Sequence, residues 1–299
     1  MQVLESIEKF YSSEKIVKFY SEQSLFPLEE ILFKKYLTRK GTILDLCCGA
    51  GRASFPLSEM GFEVIGIDIN EKLIKAAREK AVNYSNTSFI LSDVEKVDFP
   101  ENYFDYILVL HNSLEFIPGK KKRNNIIRKL NLCLKKDGVL ITTFHSAYYP
   151  FHVARKLLKS NIKRQVAATT IRHGKPNWTD SEGRPPEGLR PWMAKIKWSY
   201  RSGETNNKAF LKKNFLQCNS IRNIHNPEME HNDFFYKKDS LFYHLFTPWE
   251  IYRAFTGCGF KLHAVHGSRE ILAWDNPVKK YFCKLLIPFD YTFWIFKKK

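Results

Sequence analysis

The chain has 299 residues, of which 44% are hydrophobic and 26% are charged, so its composition is that of a folded globular protein and not of a disordered one. No segment reaches the roughly 18 uninterrupted apolar residues that a membrane span requires. The first residues, MQVLESIEKFYSSEK, carry charges where a secretory signal needs an apolar run. We therefore expect a cytoplasmic protein.

The net charge of +17 is concentrated in the second half of the chain. Residues 1–144 carry 21 Lys and Arg against 19 Asp and Glu, whereas residues 145–299 carry 27 against 12. Such a basic surface favours a partner rich in phosphate or carboxylate, or a membrane surface; a merely solvated basic face is the alternative.

The cysteines show no metal-binding spacing. Cys47 and Cys48 are adjacent, and the other four are scattered, so neither a C-x-x-C pair nor a zinc pattern is present. We expect buried, reduced thiols and no bound metal.

Five apolar runs separated by helical patterns predict an α/β fold with a doubly wound, mostly parallel sheet. Asn70 is the predicted N-cap of the helix after the second run, and the KKDG sequence at 135–138 is predicted to end a basic helix before the fifth. The five runs are residues 42–48, 63–69, 87–93, 104–110 and 138–144.

The alternation stops after Phe144 and returns about 100 residues later. Thr247 and Pro248 then predict a capped helix, followed by two strands, KLHAVHG and YTFWIFKKK, that are expected to form an antiparallel pair. We therefore divide the chain into an N-terminal helical segment, an α/β part, an insertion without clear alternation, and a C-terminal part that completes the sheet. The respective ranges are 1–40, 41–144, 145–246 and 247–299.

The sequence LDLCCGAGR follows the first predicted strand, at the edge where parallel sheets bind ligands. Gly49 and Gly51 allow a sharp turn and a close ligand approach, and the next helix presents free backbone N–H groups. A dinucleotide site would need G-x-G-x-x-G, and a diphosphate would be repelled by Asp45. Asp45 instead suits a ligand with a cationic amino group, which points to S-adenosylmethionine.

Carboxylates also stand at the ends of the next two predicted strands. Asp68 is placed to accept hydrogen bonds from ribose hydroxyls, with Ile69 beside the adenine. Asp93 can accept from the exocyclic amine of adenine, while Val94 packs on the ring. Three carboxylates at three successive strand ends are a stronger signal than one glycine turn.

With these residues the sequence resembles the class I S-adenosylmethionine-dependent methyltransferases, over residues 42–144 and again from 247 to 299. The matching signatures are LDLCCGAGR, GIDIN, LSDVEKVDFPENYFDYILV and LKKDGVLITTF. The resemblance implies a seven-stranded Rossmann-like sheet with a long insertion after the fifth strand, and S-adenosylmethionine as methyl donor, with S-adenosylhomocysteine as product. We accordingly expect residues 1–40 to form a helical lid, 41–144 to form the cofactor-binding core, and the insertion 145–246 to cover the substrate.

By that resemblance Asp45, Gly49 and Gly51 surround the methionine part, Asp68 binds the ribose, and Asp93 with Val94 contacts the adenine. Cys47 replaces the family's usual first glycine, so we expect a slightly different backbone approach without loss of binding. The remaining residues expected to contact the cofactor are Ile69 and Leu110.

Methyl transfer is an in-line displacement, so orientation and exclusion of water supply much of the catalysis, and a base is optional. The candidate bases are His111, Glu115 and His145, near the ends of the fourth and fifth strands; polar residues lining the pocket are the alternative. In the N-terminal segment, aromatic side chains either cover the cofactor or pack in the core. These are Tyr11, Phe19 and Tyr20.

The insertion has a net charge of +10 and mixes aromatic with basic residues, which suits a planar or anionic acceptor. Two nucleic-acid methylation motifs, Asn/Asp-Pro-Pro-aromatic and Pro-Cys, are absent. The expected substrate is an O or N atom of a medium-sized anionic small molecule or natural-product intermediate. The basic candidates for binding it are Arg172, His173, Lys175, Arg184, Arg190 and Lys197.

Three alternatives remain. The +15 charge of the second half also suits RNA (tRNA or rRNA) or a peptide as acceptor. A non-catalytic partner subunit would bind S-adenosylmethionine without transferring its methyl group. The basic-aromatic end KKYFCKLLIPFDYTFWIFKKK suits a membrane surface or a lipid acceptor, although a last strand with a lysine tail explains it more simply.

Overall fold

The computed structural model describes residues 2–145, 233–236, 241–272, 274 and 291–299. They belong to one compact unit of the chain, made from Met1–Tyr149 and Asn226–Lys299. The basic candidates of the insertion, from Arg172 to Lys197, lie outside the described residues.

Eight α-helices and one short 3-10 helix are found in the described ranges. Three α-helices, α1 to α3, precede the first strand, and the 3-10 helix Ser113–Phe116 follows the fourth strand. The α-helices are α1 Gln2–Tyr11, α2 Glu14–Ser21, α3 Pro27–Tyr36, α4 Ser54–Glu59, α5 Glu71–Ala81, α6 Lys120–Cys133, α7 Pro248–Gly257 and α8 Ser268–Ile271.

Seven strands form the main sheet in the order β3-β2-β1-β4-β5-β9-β8. The pairs among β1 to β5 are parallel, and β9 runs antiparallel to both β5 and β8. The predicted doubly wound, mostly parallel sheet is confirmed, as is the antiparallel pair at its end. The strands are β1 Thr42–Leu46, β2 Glu63–Asp68, β3 Thr87–Leu91, β4 Phe104–Val109, β5 Leu134–His145, β8 Phe260–Gly267 and β9 Tyr291–Lys298; β6 Asp233–Tyr236 and β7 Leu241–His244 form a separate hairpin.

The predicted helix caps are confirmed. The Oδ1 atom of Asn70 accepts a hydrogen bond of 3.0 Å from the Leu73 N–H at the start of α5. At the start of α7, the Thr247 hydroxyl accepts from the Glu250 N–H at 3.2 Å, and the Glu250 carboxylate accepts from the Thr247 N–H at 2.8 Å. This reciprocal pair is the capping box.

The prediction of a KKDG turn was wrong. Helix α6 ends at Cys133 and β5 begins at the next residue, with an irregular register opposite Phe104 and Tyr106. The Lys135 ammonium donates to Asp105 of β4 at 2.8 Å, which holds this stretch alongside β4. The chain therefore continues into the strand without the expected turn.

The core lies on both faces of the sheet, and β4, its central strand, is buried along its whole length. Because β1 to β5 are parallel, their carboxyl ends share one edge of the sheet, where ligands bind in open α/β folds. Within the described ranges, no helix is both long and apolar enough to cross a membrane.

Candidate active site

A cavity opens at the carboxyl edge of the sheet. Its walls come from the ends of β1 to β4, from the start of α6, and from α1 and α2. Most of the predicted cofactor residues line it, together with one of the three candidate bases: Asp45, Cys47, Asp68, Ile69, Asp93, Val94, Leu110 and His111.

The turn after β1 uses left-handed backbone conformations. Cys47, Gly49 and Gly51 have φ values of +58°, +58° and +81°. A Cβ atom at Gly51 would lie 2.5 Å from a ring carbon of Phe55, whereas one at Gly49 would come no closer than 3.9 Å to Leu73. A side chain at Gly51 is therefore disfavoured by both space and conformation, and one at Gly49 by conformation alone. Cys47 adopts a backbone conformation that favours glycine.

Asp68 connects the ends of β1 and β2. One carboxylate oxygen accepts from the Gly49 N–H and the other from the Asn70 N–H, each at 2.9 Å. Burial raises the pKa of Asp68, and these backbone hydrogen bonds oppose that rise. Because a carboxylate has about four acceptor positions, further hydroxyl donors can still bind it. The neighbouring Ile69 is 42% exposed, which places an apolar surface beside these acceptors.

Asp45 is a nearly buried carboxyl group, 3% exposed. One of its oxygens accepts from the Ser54 hydroxyl at 2.6 Å. Burial raises the pKa of Asp45 to about 6, while Ser54 and the Arg52 guanidinium lower it. A cation entering the cavity here would stabilise the ionised form.

Asp93 forms the edge of the cavity beyond β3. Its Oδ1 atom accepts from the Glu95 N–H at 2.9 Å, and its carbonyl accepts from the Lys96 N–H at 2.9 Å. These bonds make a tight turn that fixes the Asp93 carboxylate beside the half-buried Val94.

The two adjacent cysteines, Cys47 and Cys48, are free thiols. Burial raises the pKa of both Cys47 and Cys48, and the nearby carboxylates raise them further. A protonated thiol is a poor nucleophile and a poor metal ligand. In the part of the chain that the structure describes, no group of three or more His, Cys, Asp or Glu side chains is arranged for a metal ion.

Two consecutive non-glycine residues after β4 have left-handed backbones: His111 at φ +55° and Asn112 at φ +59°. Such strain persists only where surrounding contacts hold it, and it is concentrated at functional sites. The Asn112 N–H donates to the buried Thr143 hydroxyl at 3.0 Å, and the Ser113 hydroxyl donates to the Leu110 carbonyl at 2.6 Å. No glycine marks this turn in the sequence, so sequence reasoning missed it.

The three candidate bases fall into two places. His111 lines the cavity, whereas Glu115 and His145 lie outside its lining and contact each other. The buried Glu115 carboxylate accepts from the His145 backbone N–H at 2.6 Å and lies 2.9 Å from its Nδ1. Burial raises the pKa of Glu115, and His145 opposes that rise. The Asn112 amide nitrogen lies 2.9 Å from the same Nδ1.

The N-terminal helices reach the cavity through aromatic side chains. Tyr11 and Tyr20 line it, together with Phe116, whose ring meets Tyr11 edge-on at 6.1 Å. Phe19 instead packs against Tyr20 at 5.4 Å. The Asn70 amide also donates to the Ser12 hydroxyl at 3.0 Å, which ties this segment to the end of β2.

A buried ion pair, which sequence reasoning missed, joins α3 to the glycine turn. The Arg52 guanidinium donates to both oxygens of Glu29, at 2.6 and 2.8 Å. It also lies 4.7 Å from the centroid of the Phe26 ring, and that ring is stacked parallel to the His111 ring with centroids 5.3 Å apart. Arg52 stands in the GAGR motif, but nothing in the sequence identifies Phe26 or Glu29 as its partners.

Comparison with known proteins finds a methyltransferase domain in this chain. A family model described as a methyltransferase domain matches residues 43–138, from β1 into β5. YqeM of Bacillus subtilis, named as a methyltransferase, is 32% identical over 112 residues, which cover 38% of this chain and 45% of that protein. A demethylmenaquinone methyltransferase of Staphylococcus carnosus is 29% identical over 126 residues, covering 39% and 52%. The chain therefore spans about half the length of these relatives.

A solved S-adenosylmethionine-dependent methyltransferase from Methanosarcina mazei superimposes with a TM-score of 0.54 at 18% identity, covering 92% of this chain and 98% of that one. At this identity the likeness concerns the fold alone. A methyltransferase domain is thus matched over residues 43–138, and the chain shares the fold of this solved methyltransferase, with the glycine turn of β1 at the carboxyl edge of the sheet.

Proposed function

We propose that this protein transfers the methyl group of S-adenosylmethionine to an O or N atom of a small, anionic acceptor. The observation that carries the proposal is a single cavity that joins three carboxylates, at the ends of β1, β2 and β3, to a histidine at the end of β4. The carboxylates suit the donor, and the histidine suits the acceptor.

The residues that line the cavity match the chemical groups of S-adenosylmethionine, taken from its amino group to its adenine along the ends of β1, β2 and β3. Asp45 matches the cationic amino group, and Asp68 retains acceptor positions for the ribose hydroxyls. Ile69 and Val94 offer apolar contacts to the adenine, and Asp93 an acceptor for its amine. Cys47, Gly49, Gly51 and Leu110 complete the proposed cofactor contacts. When bound, the sulfonium supplies the electrophilic methyl group.

The strand order supports His111 as the acceptor-side group. Because β4 lies on the opposite side of β1 from β2 and β3, His111 stands across the cavity from Asp68 and Asp93. We propose that its imidazole contacts the acceptor and takes its proton when that acceptor is protonated at neutral pH. The Glu115–His145 pair is the second candidate for this role.

The proposed acceptor class follows from enclosure and charge. Tyr11 of α1 and Tyr20 of α2 form part of the cavity wall, which suits a small molecule better than a polymer, and we propose that residues 1–40 act as a lid. The charge of +15 in residues 145–299 favours an anionic acceptor, and we propose that residues 145–246 cover it. The same charge supports RNA as the alternative acceptor.

Calorimetry with S-adenosylhomocysteine tests the donor site. We expect saturable binding to the wild type and at least about tenfold weaker binding to Asp68→Asn, because a charged hydrogen-bond acceptor is lost. Asp137→Asn, which changes an exposed carboxylate on β5, is the matched control and should bind normally. Equal affinity of all three proteins, or no binding at all, would reject the proposal.

The acceptor is tested with isotopically labelled S-adenosylmethionine and separate pools of anionic metabolites, RNA and peptides. Label transferred to a metabolite supports the proposal. Label found only in RNA, with binding that weakens steeply as salt rises, would favour the alternative acceptor. Donor binding without transfer to any pool would indicate a non-catalytic partner subunit.

A further inference from the structure

A column of three side chains connects the glycine turn of β1 to the imidazole of His111. The Arg52 guanidinium lies 4.7 Å from the centroid of the Phe26 ring. The Phe26 ring is parallel to the His111 ring, with centroids 5.3 Å apart and planes 5° from parallel. Arg52 and His111 both line the cavity, so the column joins two points of its wall.

Glu29 fixes the first two members of this column. Its carboxylate accepts two hydrogen bonds from Arg52, at 2.6 and 2.8 Å, and a third from the Phe26 backbone N–H at 2.9 Å. Arg52 also donates to the Ser24 carbonyl at 3.1 Å. Glu29 is 1% exposed and Arg52 6%, so these charge-assisted hydrogen bonds are shielded from water. They fix the position of the guanidinium relative to the Phe26 backbone.

The stacked Phe26 ring can stabilise the left-handed backbone conformation of His111. A left-handed histidine depends on its surroundings to keep its conformation, and a stacked aromatic ring restricts the imidazole as well. We infer that Phe26 is a positioning residue for His111: its ring, held by Arg52 and Glu29, orients the imidazole on the acceptor side of the cavity. This inference rests on the proposed function, since that function makes His111 the acceptor-side group.

The same column links the two halves of the site. Arg52 directly follows Gly51 and lines the cavity, so a donor bound beside the glycine turn would lie close to the guanidinium that packs against the Phe26 ring. Binding of the donor would then restrict His111 before the acceptor arrives. Such coupling favours the geometry that an in-line transfer requires.

The test uses the full chain with its nine histidines labelled at the ring carbons for NMR, and His111→Gln assigns the His111 signal. Phe26→Leu removes the aromatic face and keeps a branched apolar side chain. Phe26→Tyr retains the ring as the conservative variant. Trp249→Leu changes an aromatic residue on α7 that is 57% exposed and is absent from the cavity lining, and it is the matched control. Thermal unfolding confirms that each variant is folded, and Phe26→Met replaces Phe26→Leu if the latter does not fold.

Without ligand, we expect the His111 ring signals to move in Phe26→Leu, because a stacked ring is lost. They should stay near their wild-type positions in Phe26→Tyr and Trp249→Leu. On addition of S-adenosylhomocysteine, the His111 signals should shift in the wild type and in Phe26→Tyr. In Phe26→Leu the ligand-induced shift of the His111 signals should be less than half of the wild-type shift. The affinity of this variant for S-adenosylhomocysteine should differ from the wild-type affinity by less than threefold.

Identical His111 signals and identical ligand-induced shifts in Phe26→Leu and the wild type would overturn the inference. Failure of S-adenosylhomocysteine to bind the wild type would reject the proposed function instead. In that case the ligand-free spectra still decide whether Phe26 orients His111, because the ring contact does not depend on the donor.

Discussion

At the scale of single residues, the ionisation of Asp45 controls the charge at the proposed amino-group site. Burial raises its pKa to about 6, so the carboxylate is fully ionised only above that pH. A bound ammonium group stabilises the ionised form, so binding below pH 6 must release a proton. We predict that the affinity for S-adenosylhomocysteine weakens as pH falls below 6, by up to about tenfold per pH unit.

Calorimetry at pH 5, 6 and 7 checks this prediction. Asp45→Asn should bind more weakly at pH 7 and should lose the pH dependence that is centred near 6. An Asp45→Asn profile that is parallel to the wild-type profile would show that another group is responsible.

The two glycines of the β1 turn should differ in the cost of an added methyl group. Gly49→Ala places an alanine at φ +58° in open space, which we expect to cost about 1–2 kcal/mol of folding free energy. Gly51→Ala adds a collision with Phe55 and Phe89, for a total of about 2–5 kcal/mol. Urea denaturation measures both, and equal losses would contradict the steric argument.

At the scale of elements, the Arg52–Glu29 ion pair attaches α3 to the glycine turn. The two side chains are 7% and 1% exposed, so removing one partner leaves an uncompensated buried charge. We predict a loss of about 3–5 kcal/mol in stability for Arg52→Met or Glu29→Leu alone. The double variant should lose clearly less than the sum, because neither charge then remains.

A double-mutant cycle by urea denaturation measures this coupling. The surface pair Lys18–Glu22, with side chains 77% and 66% exposed, is the control and should show a coupling below about 1 kcal/mol. A similarly small coupling for Arg52 and Glu29 would mean that α3 is attached to the turn by other contacts.

At the scale of the whole molecule, β9 makes the first and last parts of the chain one folding unit. It lies between β5 and β8, and its Phe296 stacks on Phe255 of α7 at 4.2 Å with no exposed surface. We predict that Phe296→Ala costs about 3–5 kcal/mol. Phe10→Ala, at a 42% exposed position, should cost less than about 1 kcal/mol.

Because the sheet is continuous through β9, the Phe296→Ala change should lower stability as measured by circular dichroism and by limited proteolysis to the same extent. A proteolysis midpoint that differs from the dichroism midpoint would show that residues near the C-terminal end open separately from the parallel strands.

The succession of strands along the chain and the position of three carboxylates at the strand ends followed from local pattern. Continuous apolar runs indicate strands buried on both faces, and parallel strands bring Asp45, Asp68 and Asp93 to one edge. The Asn70 and Thr247 caps were predictable for the same reason, since their partners lie three residues away. The prediction of a turn at KKDG was wrong because Asp105, which is distant in sequence, holds Lys135 beside β4.

The sequence alone therefore determined the class of fold, the glycine turn and the set of carboxylates at the strand ends, because each depends on spacing within one strand and its following loop. Tertiary structure alone decided that His111 lies on the cavity while Glu115 pairs with His145, that Arg52 pairs with Glu29, and that Phe26 stacks on His111. These contacts join residues 23 to 85 positions apart, and no local periodicity encodes which side chains meet when helices pack on a sheet.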